Sequence, residues 1–348
     1  MADVHEVRRW LRERRAEAEV QDGTHEIALA VREQDEPARM LAAKPMFQLV
    51  RQMANSRADH TQHRIEEAER TRAIQKTIEQ AGIMRELGGP CGGDATAELD
   101  CLRQSHPNFA AAIDHLQREA ILNGAIGRPI TGQRLILVGP PGVGKTDFAL
   151  SLANVLALPT PLVIDMACAQ HSSDLAGSST HWSNSAPGRL FEFVAANPVA
   201  NPLVALDELD KARTDSRTDD PLAPLLHLWE PRTARQWSDQ SVPWIELDLS
   251  AVNWVATANH LDTIPRPILS RAQVFEVRKP TRAEGAIIIQ SAYARLLSER
   301  QLDGWLPPHI SPALARQLSE MPPRQARRAL ERAVIEHLSR RPKTCQWH

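Results

Sequence analysis

The residues of this chain best able to do chemistry form a glycine-punctuated run, Gly139-Pro140-Pro141-Gly142-Val143-Gly144-Lys145-Thr146, and a pair of carboxylates, Asp207-Glu208. The run reads G-x-x-x-x-G-K-T. Its glycines let consecutive backbone N–H groups turn toward one anionic centre, and a helix starting at its end adds a positive terminus. Lys145 has the length to reach the β- and γ-phosphates of a triphosphate, and the Thr146 hydroxyl is a ligand for Mg²⁺. The expected cofactors are therefore ATP and Mg²⁺, held by Gly139 to Thr146.

Hydrolysis needs more than a phosphate cradle: a held metal, an activated water and positive charge at the transferred group. Asp207 and Glu208 lie about 60 residues after the run. Asp207 is the expected Mg²⁺ ligand, acting through water, and Glu208 the expected base that orients and deprotonates the attacking water. Asn259, in WVATAN, is placed to position that water and sense the γ-phosphate. Arg271, in IPRPILSRAQVF, is the expected source of transition-state charge at a neighbour's phosphate, with Arg266 as its rival. Arg324, after Pro322-Pro323, is expected to reach the phosphates from the C-terminal part, with Arg327 and Arg328 as alternatives on the same helix.

These groups work only if secondary structure brings them together. Leu135 to Val138 is an apolar run of strand type, and Asp147 to Leu158 has helical spacing, so the glycine run has strand before it and helix after it. Strands are expected at 161–165, 203–206, 253–256 and 274–277, with helices at 190–196 and 221–229, a helical turn at 268–271, and a Ser/Gly-rich loop over 171–188. Strands alternating with helices, with polar residues at the strands' C-terminal ends, make an open, largely parallel α/β sheet with its site along that edge. From Thr281 onward the periodicity is helical only. Upstream, 1–87 is a charged, helical-patterned arm whose heptads are broken by Arg72 and Gln75; it reads as a long polar helix, a coiled coil completed by a partner, or a partly ordered arm. His60 and His63 sit one turn apart with no third ligand nearby and read as a solvated pair. Gly88-Gly89-Pro90-Cys91-Gly92-Gly93 is the clearest punctuation. The division is a helical arm over 1–87, a Gly-rich linker over 88–94, a nucleotide-binding domain over 95–279 and a small helical lid over 280–348.

The 348 residues are 42% hydrophobic and carry a net charge of −2, enough for real cores and without the basic excess of a nucleic-acid binder. The charge is unevenly spread. Residues 91–277 hold 13 Lys/Arg against 21 Asp/Glu, a net −8; residues 278–348 hold 13 against 6, a net +7. A basic lid docking on an acidic body, of the same or the next subunit, is the expectation. Four scattered cysteines form no C-x-x-C pair and fit a reducing compartment. With no long apolar run and no secretory signal pattern at the start, a cytoplasmic protein without a membrane span is expected.

The body resembles the AAA+ ATPases, and within them the ATPase module of the Lon family. The resemblance is carried by GPPGVGKT, by SAPGRLFEFVAANPVANPLVALDELDK (185–211) and by WSDQSVPWIELDLSAVNWVATANHLDTIPRPILSR (237–271). It implies a P-loop fold with a helical lid and a homo-oligomeric ring, usually hexameric, with ATP between neighbours. It also implies Asn259 as sensor 1, Arg271 as a finger acting in trans and Arg324 as sensor 2. Trp182 falls where Lon-like proteins place the aromatic that grips polypeptide in the pore, but the usual aliphatic partner has become Ser183. Trp237 falls either on a second pore-facing loop or in the core. Lon proteases continue into a Ser/Lys peptidase domain, whereas this sequence stops at His348, so no peptide cleavage is expected. The expected activity is that of an ATPase that remodels or unfolds a protein partner. A nucleic-acid motor and a nucleotide-controlled switch for a separate protease or effector are the alternatives; the acidic body without a basic aromatic groove speaks against the first.

Overall fold

The structure, a computed structural model, describes residues 41–43, 72–74, 76–169, 171–178, 185–212, 220–243, 245–302, 304–321 and 323–339. Trp182, most of the N-terminal arm with His60 and His63, and the side chain of Arg324 lie outside the described residues. The strands are β1 (Leu41–Ala43), β2 (Arg134–Val138), β3 (Leu162–Asp165), β4 (Leu203–Asp207), β5 (Ile245–Leu247), β6 (Asn253–Ala258) and β7 (Gln273–Glu276). The helices that matter here are α1 (Gly92–Ser105), α2 (Ala110–Gly124), α3 (Lys145–Val155), α4 (Ser173–Ala176), α5 (Arg189–Ala196), α6 (Leu225–Leu228), α7 (Pro231–Ala234), α8 (Arg266–Leu269), α9 (Arg282–Glu299), α10 (Pro312–Ser319) and α11 (Pro323–Ser339).

Five strands make one all-parallel sheet in the order β3-β4-β6-β2-β7. Their side chains alternate between two cores, as the pleat requires. Leu135, Leu137, Leu203, Ala205 and Val255 face the layer of α1, α2 and α3. Ile136, Val204, Leu206, Trp254 and Ala256 face the opposite layer, which contains α5 and α6. Both faces are covered, so the strands read as continuous apolar runs. Because the strands are parallel, their C-terminal ends share one edge. That edge delivers Gly139, Asp207-Glu208 and Asn259 to one place. A third core, with Ile289, Tyr293, Leu297, Leu318 and Leu330, belongs to α9, α10 and α11 and forms the lid. Thr281 caps α9 in a reciprocal capping box with Glu284, and Arg278 grips the same carboxylate at 2.6 Å.

Two local expectations need correction, and one pair of alternatives is decided. The helix expected over 221–229 is confined to Leu225–Leu228, because Pro221 and Pro224 supply no N–H for an earlier turn. The 171–188 loop contains the turn of helix α4. Trp237 is buried at 7% exposure in the core facing α5, and its backbone pairs with Leu247, so the core placement is the observed one and the pore-facing one is not. The three-residue strands β1 and β5, which pair antiparallel, carry too little periodicity to be read from sequence.

The glycine segment before α1 is packed, not free. Gly88 exchanges hydrogen bonds with the Asn201 side chain, donating at 2.7 Å and accepting at 2.9 Å. A Cβ on Gly88 would lie 2.8 Å from Val199 Cγ1. Ahead of it, Ile78 joins the core facing α5. Arg85, 2% exposed, sends its guanidinium into the C-terminal end of α5, donating to the carbonyls of Val194, Ala195 and Asn197. Burial pushes its pKa down to about 10, leaving it charged at neutral pH against the negative end of that helix.

Candidate functional site

The phosphate loop leaves β2 under tight constraint. A Cβ on Gly139 would lie 2.2 Å from the Val277 carbonyl oxygen, so only glycine lets β2 turn beside the end of β7. Gly142 and Gly144 have φ of 81° and 97°, the left-handed region that turns successive N–H groups inward. Gly144 then serves as the N-cap of α3, which begins at Lys145.

Lys145 donates from Nζ to the carbonyls of Gly139 (2.7 Å) and Pro140 (3.0 Å) and to Asn259 Oδ1 (3.0 Å). Its side chain spans the loop to the end of β6. Burial pulls its pKa down, while Asp210, Asp207 and Glu208 oppose that shift. Thr146 donates from Oγ1 to Asp207 Oδ1 at 2.9 Å. Thr257 donates to the same oxygen at 2.5 Å and accepts the Glu208 N–H at 3.0 Å. Glu208 sits at φ 55° in the left-handed region, a backbone cost of about 1–2 kcal/mol for a non-glycine residue that the neighbouring bonds must offset. Its carboxylate is half-exposed and holds Lys211 at 2.9 Å. The structure thus brings Lys145, Thr146, Asp207, Glu208 and Asn259 together on one sheet edge.

The arginines divide. The contacts of Arg271 among the described residues run to the Pro267 carbonyl (2.7 Å) and to Glu230 (3.7 Å), within its own side of the body. Arg266 is exposed. Arg324 contributes its backbone to the first turn of α11. Arg327, one turn on, lines a cleft of about 230 Å³ between the phosphate loop and the lid, with Gly142, Gly144, Ile289, Met321 and Leu330.

Sequence reading missed several contributors. Thr257, two residues before Asn259, joins the Asp207 carboxylate to the Glu208 backbone N–H. Asn108, in the turn before α2, is buried and donates to the carbonyls of Val143 and Arg278, each at 3.2 Å, tying the phosphate loop to the passage into the lid. Asp147 follows Thr146 directly. It accepts from Arg295 of α9 (2.9 and 3.1 Å) and faces His106 Nε2 at 3.2 Å. Burial alone would raise its pKa, but the hydrogen bonds from His106 and Arg295 hold it down at about 2. The sequence carries no signal for this contact, because a carboxylate in the first turn of a helix is already favoured by the helix's positive end. This contact is also one place where the basic lid meets the acidic body within a single chain.

Comparison with known proteins follows the geometry. Residues 135–279 match the model of the ATPase family associated with various cellular activities (AAA). The chain is 36% identical over 174 residues to Lon protease homolog 2, peroxisomal, of Spinacia oleracea, covering 49% of this chain and 19% of that protein. It is 32% identical over 178 residues to a Lon protease of Mycoplasma mycoides, covering 50% and 22%. It is 35% identical over 159 residues to a mitochondrial Lon protease homolog of Eremothecium gossypii, covering 46% and 15%. The chain therefore spans about a fifth of the length of these relatives. No helix among the described residues is long and apolar enough to cross a membrane. The sheet order, the glycine loop and these matches converge: the α/β body of this chain has the AAA+ P-loop fold and resembles the ATPase module of the Lon family.

Proposed function

We propose that this chain binds ATP with Mg²⁺, hydrolyses it in a homo-oligomeric ring, expected to be hexameric, and uses the energy to remodel or unfold a protein partner in the cytoplasm. The single observation that carries the hydrolytic reading is the chain of contacts Thr146–Asp207–Thr257–Glu208, with Lys145 meeting Asn259 alongside it. The donor set fits the cofactor. A hydroxyl and a carboxylate 2.9 Å apart are hard oxygen ligands suited to Mg²⁺, and the positive-φ glycines leave a concave backbone for phosphate. Thr146 and Asp207 would hold the ion, which supplies charge neutralisation between the phosphates.

The chain's own residues do the rest. Lys145 exchanges its carbonyl partners for phosphate oxygens. Glu208, fixed through its N–H by Thr257, takes a proton from the attacking water, and Asn259 positions that water. Arg271 is directed to the neighbour's site, so each chain provides most of one site and completes the next. Arg324 or Arg327 closes the site from the lid, and the position of Arg327 in the cleft favours it. Trp182 engages the polypeptide.

Glu208→Gln should retain ATP binding and lower turnover by about 10²–10⁴-fold. Hydrolysis at the parent rate would remove Glu208 from this role. Arg271→Ala should be inactive alone and regain activity when mixed with Glu208→Gln subunits, each defect being covered by the other chain; no recovery would place the arginine's action within its own subunit. Trp182→Ala should lose partner processing and keep basal ATPase, and an unchanged partner activity would turn the reading toward a nucleotide switch.

A further inference from the structure

The body and the lid meet at two polar points that the catalytic reading does not use. One is Asn108, which donates to Val143 in the phosphate loop and to Arg278 at the start of the lid. The other is Asp147, which carries Arg295 on one side and His106 on the other. The three side chains come from separate elements: Asp147 from the first turn of α3, Arg295 from the middle of α9, His106 from the end of α1. His106 is buried, with its ring edge against Phe109 and Phe148 and its Nδ1 2.8 Å from Ser105 Oγ, so its position is fixed by the body. Phe109 and Phe148 stack at 4.4 Å beneath it. Asp147 is thus aimed by the body, and Arg295 is the part that moves with the lid.

The location gives the contact its consequence. Asp147, Ala292 and Arg295 line the cleft that contains Gly142, Gly144 and Arg327. The same three residues line a separate groove on the other side, with Ser105, Ser151 and Asn154. The ion pair is therefore a partition across the body–lid crevice. Parting Arg295 from Asp147 would remove this shared wall.

We propose that Asp147, His106 and Arg295 form a latch that holds the lid over the phosphate loop and governs how fast nucleotide leaves. They are positioning residues, acting through the lid wall that bears Arg327. The inference rests on the nucleotide site proposed above. It does not require that a ring forms or that a partner is threaded.

The test uses the full chain and a fluorescent ADP analogue. Asp147→Asn and Arg295→Gln should each speed release by about tenfold, the scale of one charge-assisted contact. The double variant should release no faster than either single, because both remove the same contact. Arg295→Lys should recover part of the slow release. Release should quicken with salt in the parent and much less in the variants. Hydrogen exchange in the nucleotide-free protein gives an independent readout: α9 amides should lose protection in both single variants while β2 and β4 keep theirs. Unchanged release with unchanged exchange, or additive effects in the double variant, would overturn the latch. Failure of the parent to bind the analogue at all would instead overturn the nucleotide site, and the exchange measurement would still decide whether the lid is held by this pair.

Discussion

Two glycine-bounded turns in this body solve opposite problems. Gly139 to Gly144 bends the backbone through the positive φ of Gly142 and Gly144 into a concave loop, proposed above to take an anion from outside, while the Gly139 N–H is already held by the Ala258 carbonyl at 3.1 Å. Gly177 and Gly188 close around an anion the chain already owns. The Asp239 carboxylate, fully buried, accepts from the Gly188 N–H at 2.9 Å and from the N–H and hydroxyl of Ser241, each at 2.8 Å. A Cβ on Gly177, whose φ is 73°, would lie 2.1 Å from Asp239 Oδ1. The stem is finished by Ser178 and Ala186, which hydrogen-bond across it. The first turn is shaped by its glycines to surround a ligand; the second encloses an acceptor of its own and holds still. The second turn brackets the stretch of sequence that contains Trp182, the residue proposed above to engage polypeptide.

Substitutions at the two turns should differ in cost. Gly139→Ala should be the most damaging, because its Cβ meets the backbone of β7 and neither side can yield; loss of about 3 kcal/mol or more, with loss of nucleotide binding, is expected in thermal unfolding and ADP titration. Gly177→Ala should cost less, about 2 kcal/mol, because a side chain, though buried, is what it meets. In an Asp239→Ala background the added cost should shrink to about 1 kcal/mol, the left-handed backbone alone; an undiminished cost would mean that the carboxylate is not why glycine stands there. Asp239→Asn should cost about 1–2 kcal/mol by weakening bonds to the Gly188 and Ser241 donors. Burial raises the Asp239 pKa, with those hydrogen bonds opposing the shift, so the folded state holds this proton more tightly than the unfolded chain and the residue's contribution to stability falls as pH rises through its folded pKa.

The smallest effect concerns the lid and has the opposite sign. Asp147 and Glu284 are both held at about 2, Asp147 by His106 and Arg295 against its burial, Glu284 first by Arg278. Depressed carboxylates stabilise above their ordinary range and lose that contribution as pH falls toward 2. Hydrogen exchange should therefore show α9 loosening between about pH 4 and pH 2 ahead of the sheet. Simultaneous loss of lid and sheet would deny the lid this separate acid weakness.

Much of the candidate site was legible because parallel strands impose a simple rule: an apolar run, then a polar residue, at each strand's C-terminal end. Leu203 to Asp207 and Asn253 to Asn259 follow it, as does the run into Gly139. The contacts that cross between elements were not legible. Nothing in the spacing of His106, Asp147 and Arg295 says that three helices meet there, and nothing in the sequence around Asp239 marks it as fully buried. Trp237 was ambiguous for the same reason, since an indole near a loop can face either way and only packing decides.

Arg85 carries a practical lesson about where this protein can be cut. The glycine run at 88–93 looks like a seam, and the family match begins later still, at 135. Yet a guanidinium upstream of both seals three carbonyls at one end of α5, while Asp239 holds the Gly188 N–H at the other. A truncated protein beginning at 95 would keep every motif and leave that helix end bare. A piece that keeps this end of the helix closed must include Arg85, and one that keeps the core facing α5 whole must include Ile78.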